Sequence, residues 1–157
     1  VKKGPPGEIT KAVFRSDVEY LRKNLSSENI EERDEDGRTP LMQACIDRKG
    51  EIAKLLIDRG ASIDATDYQM WTPLHFSVQE GSSEIAEKLL KCGCRVDPED
   101  ENGNTPLWRA VFDFNGDFKV IQALLNHGAN KGHKNKHGVS IKELVQDDKR
   151  LSQDMGS

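Results

Sequence analysis

One phrase is stated three times at a fixed interval. Gly37-Arg38-Thr39-Pro40-Leu41, Met70-Trp71-Thr72-Pro73-Leu74 and Gly103-Asn104-Thr105-Pro106-Leu107 set Thr39, Thr72 and Thr105 33 residues apart. A period of that length specifies a stack of short units that bury their faces against one another, not a single core. A Thr hydroxyl can accept from the open amides of a first helical turn, and the following Pro has a helical φ and no N–H to leave unpaired. Thr-Pro is therefore a helix start.

Each start is followed by a second apolar segment that ends on Gly: residues 51–57 with Gly60, 84–90 with Gly93, and 119–125 with Gly128. Apolar residues at i, i+3 and i+4 give each segment one buried face, and Gly can turn left-handed past its end. The unit is helix, turn, helix, loop. The 157 residues hold four to five such units, and 35% hydrophobic against 32% charged residues suits thin layers that bury only their mutual contacts.

Thr72-Pro73-Leu74-His75-Phe76-Ser77, with Gly60-Ala61 and Gly128-Ala129, resembles the ankyrin repeat. The resemblance implies an all-α solenoid with short β-hairpin fingers, polar caps, a concave protein-binding face and no catalysis. Its units run 34–66, 67–99 and 100–134, between an N-terminal cap at 8–33 and a half-repeat cap at 135–145. Residues 1–7 are a flexible lead-in, and the charged tail 146–157 is expected to fray. In the N-terminal cap, Lys11, Arg15, Glu19 and Arg22 suit an outer face on which nothing stacks.

Two positions depart from the pattern. Arg48 and Met70 stand where the family has Gly, so those turns either change shape or hold a side chain at positive φ. The fourth unit carries two extra residues between Ala110 and Gly116, lengthening its first helix or the turn after it.

By resemblance, the partner-facing positions flank the Thr-Pro start and lie late in the first helix. They are Glu35, Asp36, Arg38, Ile46 and Asp47 in the second unit, and Tyr68, Gln69, Trp71, Gln79 and Glu80 in the third. The fourth contributes Glu101, Asn102, Asn104, Phe112, Asp113 and Phe114. Tyr68 and Trp71 are either interface anchors or packed on a neighbouring finger, and Phe112, Phe114 and Phe118 are either a partner-binding bulge or local packing. His75 is expected to be structural, bonded around the Thr of its own or a neighbouring repeat.

No phosphate loop, nucleophile triad or cofactor motif is present. His133 and His137 are four apart, but in a loop flanked by lysines. With Cys92 and Cys94 they form the sole candidate for a zinc site, and no metal is expected. The net charge of −4 and pI near 5.6 disfavour nucleic acid as partner. Three cysteines without framework spacing, and no apolar span, point to a cytoplasmic chain, monomeric when free.

Residues 31–36 and 97–101 are acidic, whereas 131–136 are basic, a pattern that fits either a solvated rim or the steering of a basic partner. The stretches 104–112, 116–117 and 135–140 together resemble small stand-alone bacterial ankyrin proteins, some encoded beside secreted toxins as immunity proteins. That resemblance implies neutralisation of a basic toxin by blocking its active site. An adaptor or regulatory domain of a larger protein is the alternative.

Overall fold

The structure is a computed structural model and describes residues 6–115, 117–147 and 149–155. Most of the expected lead-in, residues 1–5, lies outside that set, as does Gly116 of the inserted turn. Five helix pairs follow one another: α1 (Glu8–Arg15) with α2 (Val18–Asn24), α3 (Pro40–Ile46) with α4 (Gly50–Asp58), α5 (Pro73–Gln79) with α6 (Ser83–Lys91), α7 (Pro106–Phe112) with α8 (Lys119–Asn126), and α9 (Ile141–Asp147) with α10 (Lys149–Asp154).

Thr39, Thr72 and Thr105 each accept at Oγ1 from the backbone N–H three residues on, and Pro takes the first helical position. The odd-numbered helices pack in an inner row, α1 on α3 through to α9, and α4, α6 and α8 form an outer row. Leu41, Leu74 and Leu107 hold the same place in successive inner helices, Ile141 opens α9 where the others have Pro, and Leu56, Leu89 and Leu124 match in the outer ones. All are at most 1% exposed. Each such residue contributes about 1.5–3 kcal/mol by burial.

The outer helices close as expected on left-handed Gly60, Gly93 and Gly128. The next residue's N–H reaches back to Leu56, Leu89 or Leu124 O, pressing Ala61, Cys94 or Ala129 onto the same leucine column. Cys94 therefore does the work of an alanine. Arg48 closes α3 in the same way at φ 56, so that turn keeps its shape and holds the side chain left-handed.

Two expectations are corrected, and the choice left open for the insertion is made. The fingers are not β-hairpins: among the described residues there is no strand, only a single bridge between Lys134 and Ser140. Each finger is too short for a ladder and closes instead on an Asp or Asn, described below. The insertion leaves α7 at seven residues, the length of α3 and α5, and lengthens only the turn after it. The tail does not simply fray, because α10 folds onto α9 and buries Leu151 and Met155, which lie one helical turn apart. Ser140 and Glu143 form a capping box that starts α9, so the half-repeat is a full helix pair.

Candidate protein-binding face

Every finger is built around one side chain five residues before the Thr or Ser start. Oδ1 of Asp34, Asp67, Asp100 and Asn135 each accepts two backbone N–H groups, two and four residues on, at 2.8–3.0 Å. Neighbouring fingers are joined by one backbone bond per step: Tyr68 N–H to Asp36 O, Glu101 N–H to Gln69 O, and Lys136 N–H to Asn102 O. A second row of carboxylates also serves the stack, with Glu31, Asp64 and Asp97 accepting from the N–H of Ser62, Arg95 and Asn130. Glu32 takes the Thr10 N–H and hydroxyl at the start of α1.

Much of the acidity in 31–36 and 97–101 is thus internal structure. Glu35, Asp36 and Glu101 remain exposed at the fingertips, Asp36 bridged to Arg38 at 3.2 Å.

The inner helices and fingers meet through position-matched contacts. His75 is fully buried; its Nδ1 lies 3.2 Å from the Thr72 N–H, which makes it the acceptor and leaves Nε2–H to donate to Asn104 O at 3.1 Å. Burial holds its pKa down at about 4, so the ring is neutral. Trp108 stands where the next repeat would have His, and its Nε1–H donates to Val139 O, the equivalent carbonyl one finger on. Met42 occupies that place in the second unit and supplies no such donor.

Trp71 is half-buried. Its ring lies 5.1 Å from Phe76 and 5.6 Å from His75, with the Arg109 guanidinium 4.8 Å from its centroid. Arg38 lies 5.6 Å over Phe76, the same contact one unit earlier. Its Nε is buried and finds no acceptor among the described residues. Phe76 and Arg109, with Gln43 one unit before, line this face at the position after the His; sequence reading missed them, although they share the 33-residue period.

The remaining expected positions divide. Asn104 is not a surface residue: it is 4% exposed, bonded to Asp100 and Asn135, because the finger closes over it. Tyr68 is 59% exposed and lies against Gly37; Gln69, Gln79, Phe112 and Asp113 are exposed, and Ile46, Asn102 and Phe114 are partly covered. Phe112 stacks on Trp108 at 5.0 Å, and Phe114 meets Phe118 edge-on at 4.7 Å.

Asp47, Glu80 and Asp113 are the C-terminal caps of α3, α5 and α7. Carboxylates there oppose the helix dipole by about 0.3–1 kcal/mol each, so helix stability does not explain them. Asp47 is held by Gln43 at 2.9 Å and Lys49 at 3.5 Å.

His133 Nε2 is 2.7 Å from Gly103 O, whereas His137 is exposed. Among the described residues no group of three or more His, Cys, Asp or Glu is placed to hold a metal ion. Burial raises the Cys94 thiol to about 12 and raises that of Cys45 as well; Cys92 is exposed. None of the described helices is long and apolar enough to cross a membrane.

No curated protein matches the chain. A family profile described as ankyrin repeats (3 copies) matches residues 9–100 and 69–135. Members of that family generally mediate protein–protein interaction. With the period, the capped helix pairs and that match over most of its length, the chain belongs to the ankyrin-repeat family.

Proposed function

We propose that the chain is a non-catalytic scaffold that captures a protein with a basic surface on the face formed by the fingers and inner helices. The observation that carries this reading is the row of Asp47, Glu80 and Asp113, one per unit at matching helix ends, where the helix dipole disfavours them. Glu35, Asp36 and Glu101 extend the same charge to the fingertips, and Arg109 on Trp71 gives the face a packed floor. Acids on exposed rims steer association with a basic partner more than they add affinity.

The more specific form is an immunity protein, cytoplasmic and cofactor-free, that occludes the active site of a basic toxin. Its C-terminal resemblance to stand-alone bacterial ankyrin proteins supports it. The test is capture on the tagged chain of the product of the neighbouring gene at moderate salt, repeated with Asp47, Glu80 and Asp113 all changed to Asn. A tight complex whose association rate falls at least tenfold in the triple variant fits the reading. A complex indifferent to both salt and the triple change refutes the electrostatic part, and capture of other host proteins instead favours an adaptor.

A further inference from the structure

Four fingers turn on a residue in the left-handed region, at positions 37, 70, 103 and 138. Gly37, Gly103 and Gly138 have φ of 79°, 74° and 79°; the fourth is Met70, at 64°. Glycine fits all three for one reason and two of them for a second. It is unstrained there, and a Cβ on Gly37 would come within 2.8 Å of the Tyr68 ring, or on Gly103 within 2.9 Å of the Lys136 backbone nitrogen. Where a side chain must adopt this conformation, Asn or Asp does so more readily than methionine. The finger nevertheless carries an unbranched apolar side chain, and that side chain is 49% exposed. Packing inside the array does not account for it.

Tyr68 stands two residues away on the same tip, so two of the largest exposed apolar side chains share one short loop. The backbone bonds between fingers put Glu35 and Asp36 on one side of that loop and Glu101 on the other, all exposed. An apolar tip set between acids matches an apolar recess bordered by lysine or arginine. Methionine, flexible and polarisable, adapts to such a recess more easily than a branched side chain.

We propose that Tyr68 and Met70 form a fingertip knob that enters an apolar, Lys/Arg-rimmed pocket of the protein partner, Met70 being retained in a strained conformation for that contact. This rests on the protein-binding reading above and assigns its contact point. The fold uses the left-handed turn but not a methionine in it; Arg48 is exposed and left-handed too, and what sets Met70 apart is the apolar side chain it holds at a fingertip.

The chain itself supplies the probe. It has three methionines, and Met42 and Met155 are buried, so uniform photo-methionine labelling reports outward contacts from position 70. The labelled full chain is irradiated in a lysate of the cells it comes from, linked peptides are sequenced, and the protein so identified is purified and titrated against Met70→Gly. The expected result is a link from position 70 to an apolar segment flanked by Lys or Arg, at least tenfold weaker binding by Met70→Gly, and a Tm that is unchanged or higher by a few degrees. A purified partner that binds Met70→Gly within twofold, or that links to no residue of this finger, overturns the knob and leaves the binding face elsewhere on the stack. Retention of no protein by either wild type or variant overturns both the knob and the protein-binding reading.

Discussion

Fingers 67–72 and 100–105 share one backbone path and differ in what their central aspartates experience. Burial by itself would raise the Asp100 carboxyl, but the Asn104 N–H, the Arg109 guanidinium at 2.9 Å and the Asn104 amide hold it below the ordinary range. Burial likewise acts on Asp67, where the Trp71 and Gln69 N–H groups are too few to offset it, and the carboxyl is raised. The difference lies four and nine residues on: Asn104 and Arg109 follow Asp100, whereas Trp71 and Phe76 follow Asp67. The later finger also turns on Gly103 and the earlier on strained Met70. One finger is satisfied within the fold, and the other leaves charge, strain and apolar surface uncompensated, which is the state expected of a contact region.

The sharpest way to break this contrast is Asp100→Asn. It removes the carboxylate partner of a largely covered arginine, and about 3–4 kcal/mol of stability is expected to be lost at pH 7 in urea titrations. His75, which ties the two fingers together, comes next. The unfolded ring titrates near 6.5 and the folded one at about 4, so between those values the unfolded chain binds the extra proton. Stability therefore falls as pH drops from about 6.5 towards 4, by on the order of 3 kcal/mol from this group. The gap in stability between wild type and His75→Gln should shrink across that window; a constant gap would show that the folded ring protonates normally.

Trp71→Ala removes a ring packed on Phe76, His75 and Arg109 and should cost about 2 kcal/mol in a thermal melt, whereas Tyr68→Ala should stay within about 0.5 kcal/mol. Equal losses would mean that the two aromatics do not differ in role. The smallest effect has the opposite sign to the first. A raised carboxyl disfavours the folded state as pH rises through its folded pKa, and an Asn already fills the equivalent place at Asn135. Asp67→Asn should thus be neutral or stabilise by up to about 1 kcal/mol at pH 7.

The repeat, the helix starts and the outer-helix ends were legible because Thr-Pro and a terminal Gly each have a local meaning that needs no partner. Asp34, Asp67, Asp100 and Asn135 were equally legible, standing five residues before each start, but Asp34 and Asp100 lie in acidic stretches that suggested a solvated rim. Trp71 was not legible in the same way. An aromatic at the base of a finger can point outward or onto the helix, and the choice is made by Arg109, 38 residues away. The buried tail rests on Leu151 and Met155 alone among polar residues, too thin a pattern to distinguish from a fraying end.

The bonds between fingers are the same joint repeated, and so are the contacts of Arg38 on Phe76 and Trp71 on Arg109. Were residues 67–99 cut out, Glu101 N–H would still find Asp36 O, and the main chain would close without a gap. The side chains would not agree, because Arg38 would be delivered against Arg109, cation upon cation. The main chain makes the units interchangeable parts; the side chains number them, so the order of units is written into the molecule and a shuffled array would expose its own error.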